Sequence, residues 1–214
     1  MTNKRFEQFV RDTSYRSTAE QKDKAFALTS AGKWEEVNGA HWQKPEGGDT
    51  VFDSNRQEHP VVEVSWEDAQ SYCRWAAKRL PTEAEFEYAT RAGTETKYWW
   101  GQSHPGSRLV ANIDQDDDGY VRTAPVGSFD ANPFGLYDMT GNVAEWTADG
   151  YYHEYYANSP LTNPSGPSGV TIRVIRGGSW GDGWYQTRSA HRFFGFQDFA
   201  IAANGFRCAQ DVPK

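Results

Sequence analysis

A chain of 214 residues with a net charge of −7 is long enough to bury one sizeable core, and it has no Lys/Arg cluster on which nucleic-acid binding would rest. No run approaches the ~20 apolar residues that span a bilayer, and MTNKRFEQFV lacks the continuous apolar core of a signal peptide. The expectation is a soluble single domain over 1–214, without membrane insertion and without nucleic acid as a partner. Nine Trp, 11 Tyr and 12 Phe, dispersed among 20 Gly and 10 Pro, predict an α+β fold in which large rings pin many ordered loops.

The first element is a short helix capped by Thr2 or Asn3, with Phe6, Phe9 and Val10 on one face. From Thr13 to Pro60 isolated rings and glycines predict a long packed loop region holding one or two short strands. PVVEVSWEDAQSYCRWAAKRLPTEAEFEYATRAG then predicts two helices in succession. Ser65 with Asp68 resembles a capping box ahead of an inward face of Ala69, Tyr72, Cys73 and Ala76. Thr82 with Glu85 opens the second helix, whose Phe86 and Ala89 face inward before Gly93. Beyond Gly93 short β-like pieces are expected around Val126, at Ala144 to Thr147, at Arg173 to Arg176 and at Gly205 to Ala209. Cys73 and Cys208 are the only cysteines and are expected as two mostly buried thiols rather than a bridge.

Together with those helices, GLYDMTGNVAEW (Gly135 to Trp146), RVIRGGSW (Arg173 to Trp180) and NGFRC (Asn204 to Cys208) resemble the formylglycine-generating enzyme (sulfatase-modifying factor) family in the family's own order. The resemblance implies a variant of the C-type lectin fold: a small, mostly antiparallel sheet, two main helices and much ordered coil.

Two metal questions follow. In ANIDQDDDGY, Asp114, Asp116 and Asp118 alternate ahead of Gly119, a pattern able to surround a hard cation, with the Tyr120 carbonyl as a further ligand. Pro125 occupies the twelfth loop position, so the loop is not a helix-loop-helix calcium hand. The family resemblance implies a structural calcium held by Asn112, Ile113, Asp118 and Tyr120, and a second at Gly141, Val143 and Glu145. Copper is not expected. The active enzymes of the family use a pair of cysteines soon after their GGS motif, and this chain has none between Cys73 and Cys208. Its five histidines are scattered without metal-ligand spacing.

The segment GSWGDGWYQTRSAHRFFGFQDF occupies that place instead. Its frame, Arg176 to Trp180, then Arg188-Ser189-Ala190-His191-Arg192, then Gly205-Phe206-Arg207, resembles the variable proteins of diversity-generating retroelements, in which the positions between frame elements are diversified. The resemblance implies a variable ligand-binding region over 176–208. Trp180 and Phe206 are expected in the core. Asp182, Trp184, Tyr185, Thr187, His191, Phe193, Phe194, Phe196 and Phe199 are expected as displayed contacts for a protein or cell-surface ligand, because rigid rings give contact area at small entropic cost. The alternative is a diverged oxidase or accessory paralogue acting on a cysteine-containing substrate.

Overall fold

Side-chain caps set the helix boundaries in the computed structural model, which describes residues 1–103, 110–114 and 118–211. Helix α1 (Asn3–Thr13) starts where the Thr2 hydroxyl accepts from Arg5 N at 3.3 Å, and it buries Phe6 and Phe9. The stretch expected as loop and short strands also holds a second helix, α2 (Thr18–Lys22), which Ser17 and Glu20 cap reciprocally. Helix α3 (Trp66–Trp75) begins with Asp68 N donating to Ser65 Oγ at 3.1 Å and Ser65 N donating to Asp68 Oδ2 at 2.8 Å. Asp68 also accepts from Tyr15 OH at 2.9 Å and Thr18 N at 3.0 Å, so one buried carboxyl ties α2 and its approach to α3. Helix α4 (Glu83–Arg91) carries the expected Thr82–Glu85 box and stops at Ala92, which takes a left-handed φ of 48°.

The strands form two sheets. Strands β1 (Lys24–Leu28) and β2 (Trp34–Asn38) make an antiparallel hairpin. The main sheet has the order β5-β4-β3-β6, from β3 (Ala144–Gly150), β4 (Ile172–Arg176), β5 (Phe193–Phe196) and β6 (Asn204–Gly205), with only β3 and β6 parallel. The strand expected around Val126 does not form. Pro125 and the left-handed Gly127 (φ 78°) turn the chain there, and Val126 N donates to Glu58 O. Conversely, the aromatic segment, which shows no period over its length, supplies edge strand β5. A Cβ on Gly195 would meet Trp146 at 2.9 Å, so glycine is what lets the strand lie on that ring.

The core lies between α1, α3 and the main sheet and is built from Phe6, Phe9, Trp42, Tyr72, Trp146 and Phe206, all under 5% exposed. Its buried indoles reach across the layers. Trp66 Nε1 donates to Thr147 O at 2.8 Å and Trp146 Nε1 to Val64 O at 3.0 Å. The expectation of two separate thiols is corrected here: Cys73 on α3 and Cys208 beyond β6 are joined in a disulfide, with Cα atoms 5.7 Å apart across 135 residues of sequence. Their proximity arises only when α3 packs over the end of β6.

Glu63 is the anomaly of the core. It is fully buried at a left-handed φ of 55°, and neither carboxyl oxygen has a hydrogen-bond partner among the described residues. Burial, then the Glu46 carboxylate, hold it well above the ordinary value of 4.5. The folded state therefore keeps this proton more tightly than the unfolded chain does. The stability this confers is complete below about 4.5 and is lost as pH rises through the folded value. Replacing Glu63 with Gln should leave stability nearly unchanged at pH 4 and raise the thermal midpoint at pH 8; equal midpoints at pH 8 would contradict the assignment.

Candidate functional site

Arg176 ends β4 and Arg192 precedes β5, so the two arginines close the base of the loop spanning 177–191. Both converge on Glu83, the first residue of α4. Arg192 donates to its carboxylate from Nε at 2.6 Å and from the guanidinium terminus at 2.9 Å, while Arg176 Nε stands 3.6 Å away. Arg176 is itself 1% exposed; it donates to Ser189 O at 2.9 Å and to His191 O, and it pairs with Glu87. Glu83 N donates to Asp149 Oδ2 at 2.7 Å, and burial pushes the Asp149 carboxyl up to about 6. A carboxylate as deeply buried as Glu83 is tolerated because cations satisfy it, and the same contacts fix both ends of the loop. The third frame element is held likewise: Arg207 donates to both oxygens of Glu145 at 2.6 Å.

Within the loop and the strand that follows it, the nine expected contact residues separate into inner and outer groups. Thr187 is 1% exposed and is corrected from contact to support; its hydroxyl donates to Trp184 O at 3.1 Å. The reason is the crossing beneath it, where Gly178 (φ 73°) lies so close that a Cβ there would meet Thr187 Cγ2 at 2.6 Å. Asp182 is half-buried and shapes the turn, with Oδ2 accepting from Ser179 N at 2.9 Å and Ser179 Oγ at 2.6 Å. Trp184 is half-buried against Tyr98 and Trp100, edge-on at 6.1 and 5.6 Å between ring centroids. Tyr185 is exposed beneath the Arg188 guanidinium, which sits 3.6 Å from its ring centroid. His191 and Phe193 meet at 4.5 Å and are half-buried; burial, then Arg188, hold the imidazole below its ordinary value.

The outer face follows the strand. Phe194 and Phe196 alternate with Phe193 and Gly195 along β5 and are 58% and 61% exposed, so these two rings form a displayed pair on one side of the sheet edge. Phe199 lies beyond, 5.8 Å from Phe26, which stacks on Trp34 at 6.2 Å. Those hairpin rings extend the aromatic surface beyond the C-terminal segment. The sequence carries no local signal for them, because only the fold brings β1 alongside 199–201, where Phe26 N donates to Ala200 O. Trp180 and Phe206 are buried, as expected of the frame, whereas Ala190 is exposed.

Of the residues expected around a cation, Asp116 lies outside the described residues. Asn112 and Ile113 are buried, and Asp114 and Tyr120 are exposed. Asp118 Oδ1 accepts from Tyr120 N at 2.8 Å, and Asn112 O accepts from Asn142 N at 2.8 Å. Gly141 backs onto Asn112, since a Cβ there would meet Asn112 O at 2.4 Å, so the two expected calcium sets are neighbours in space. They differ in fit. The first set supplies hard carbonyl and carboxylate oxygens of the kind calcium takes. In the second, the one carboxylate, Glu145, is bidentately held by Arg207, and a cation at Gly141 and Val143 would have to displace that guanidinium. Among the described residues no three His, Cys, Asp or Glu side chains converge as a metal-ligating group.

Comparison with known proteins places this geometry. The model of the sulfatase-modifying factor enzyme 1-like domain matches residues 1–212. The chain is 41% identical over 240 residues to the formylglycine-generating enzyme of Streptomyces coelicolor, covering 99% of this chain and 76% of that protein. It is 34% identical over 242 residues to the inactive C-alpha-formylglycine-generating enzyme 2 of Mus musculus, covering 100% of this chain and 74% of that protein. Among solved structures, PvdO from Pseudomonas aeruginosa aligns with a TM-score of 0.76 at 27% identity, over 99% of this chain and 77% of its own. Treponema denticola variable protein 1 aligns with a TM-score of 0.67 at 23% identity, over 78% of this chain and 76% of its own, and shares the fold. The C-type lectin-like architecture implied by the motifs is thus the architecture of the molecule.

The clamp and the displayed rings should separate cleanly in stability. Glu83→Ala, which strands two guanidinium groups at the base of the loop, is expected to cost about 3–5 kcal/mol in urea unfolding. Tyr185→Ala and Phe196→Ala should each stay within about 0.5 kcal/mol.

Proposed function

The chain belongs to the sulfatase-modifying factor enzyme 1-like family, and from that premise we propose that it is a non-catalytic, ligand-binding member that displays an aromatic surface on a rigid frame. The observation that carries this reading is the fate of the cysteines. The family chemistry expected from the resemblance needs a thiolate pair after the GGS motif. Here Gly178-Ser179 is followed by Trp180, Gly181 and Asp182, and the two cysteines present are joined to each other far along the chain. A disulfide sulfur offers no thiolate to ligate soft copper or to attack a substrate thiol, so copper is not part of the proposal. A relative whose own name calls it inactive supports the idea that the fold persists without the activity.

Display is supported by the arrangement of rings. Tyr185, Phe194, Phe196 and Phe199 are exposed on a segment whose loop is tied down by Arg176 and Arg192. Rings held on fixed backbone offer large contact area with few torsions to freeze, which suits a protein or cell-surface ligand. Neither nucleic acid nor a membrane is proposed as a partner. The frame of Arg176 to Trp180, Arg188 to Arg192 and Gly205 to Arg207 supports membership of the variable-protein branch, with positions within 181–203 as those diversified. The test has two arms. Sibling copies of the gene should differ by substitutions at adenines in codons 181–203 while frame codons stay constant, and a reverse-transcriptase gene with a template repeat should lie nearby. Conversion of a cysteine-containing peptide to its aldehyde by the purified protein with copper and oxygen would overturn the reading in favour of a diverged oxidase.

Structural calcium belongs to the same proposal at Asn112, Ile113, Asp118 and Tyr120, where it would brace coil that has no ladder of its own. Added calcium should raise the thermal midpoint of the parent protein, and Asp118→Ala should abolish the rise. A parent protein whose midpoint ignores calcium would remove the ion from the proposal.

A further inference from the structure

Between the hairpin and the sheet edge runs a groove of about 350 Å³, and its composition is one-sided. Of its fourteen lining residues among those described, five are aromatic, namely Phe26, Trp34, Phe193, Phe194 and Phe199, and one, Asp182, is ionisable. Among the described residues no lysine, arginine or histidine lines it. Asp182 makes its side-chain hydrogen bonds through Oδ2, both with Ser179; among the described residues Oδ1 receives none and the carboxylate has no ion pair. Two lysines ahead of the hairpin strand and at its start are paired with other carboxylates, Lys22 with Asp198 at 2.7 Å and Lys24 with Glu36 at 2.8 Å.

Aromatic faces carry partial negative charge, and a carboxylate adds a full one. An anion in this groove would meet repulsion from both, and a neutral apolar group would leave the carboxylate oxygen against it without a partner. A cation on an apolar stem satisfies both surfaces, since its methylenes lie on the rings and its head reaches Asp182. On this basis we infer that the groove takes a basic side chain, lysine or arginine, projecting from a protein ligand. The inference rests on the ligand-binding reading above and deepens it. The exposed Tyr185 and Phe196 outside the groove supply contact area, and the groove supplies the charge selectivity that rings alone lack. Asp182 is thereby a specificity-determining residue as well as a turn former, and Trp34 enters the site from the hairpin through its place in the groove wall.

The probes are four dye-labelled peptides identical except at one central position, which carries lysine, arginine, norleucine or glutamate, titrated against the full chain. The basic peptides should bind about tenfold more tightly than the norleucine peptide, and the glutamate peptide should bind most weakly. Asp182→Asn removes the charge and leaves an oxygen for Ser179; it should erase the preference for basic peptides without shifting the thermal midpoint. Phe199→Ala, which does not touch the Ser179 turn, should weaken the basic peptides most. Equal affinity of lysine and norleucine peptides, or a preference that survives in Asp182→Asn, would overturn the inference while leaving a ligand-binding groove in place. No binding by either basic peptide would overturn it as well. Aldehyde formation or invariant codons would instead bring down the reading on which it rests.

Discussion

The placement of Glu83 governs everything displayed at the C-terminal end of the fold. A carboxylate at the first turn of a helix already faces the positive end of the helix dipole, and here it also receives the guanidinium of Arg192 in two bonds and stands within 3.6 Å of Arg176. These two arginines flank the aromatic loop, so the separation of its ends is set outside the loop. Because α4 is positioned by its own cap at Thr82 and by Phe86 in the interior, the loop's anchorage derives from the helical layer. Residues between the anchors are thereby released from the task of closing the fold.

That division of labour runs through the strands too. Along β5 the inward positions are occupied by Phe193, packed on the core, and by Gly195, pressed to Trp146, while Phe194 and Phe196 face out. Pairing with β4 holds the backbone beneath those rings, so their direction does not depend on mutual packing. In the loop proper the backbone is irregular and the same function falls to other contacts: Asp182 and Thr187 bind main chain around them, and Ser189 N donates to Lys97 O. The segment thus contains its own support, and the displayed side chains are those that remain once that support is set aside.

Much of this is legible in the amino-acid order. Capping pairs at Ser65–Asp68 and Thr82–Glu85 are local chemistry, and they mark the starts of α3 and α4. The same signal at Ser17–Glu20 marks α2, but a five-residue helix is too short to show a period. What is not legible depends on distant partners. Strand β5 is hidden because FFGF alternates aromatic with aromatic or glycine, and only Trp146 explains the glycine. Thr187 reads as a polar loop residue until Gly178 is found beneath it. Nor do two cysteines 135 residues apart announce a bond. The hairpin rings Phe26 and Trp34 belong to the candidate site only through a contact between β1 and the residues after β5.

The Cys73–Cys208 bond encloses α4, the main sheet and the whole aromatic segment in one covalent ring. A protease nicking an exposed stretch such as 160–163 would therefore leave two fragments still tethered, with the anchored frame able to stay assembled. The same bond makes the scaffold's resilience a property of its surroundings, since such linkages persist under oxidising conditions and are removed by cellular reductants. An aromatic surface free of thiols sits on a body whose toughness is set by the redox state of a bond elsewhere in the molecule.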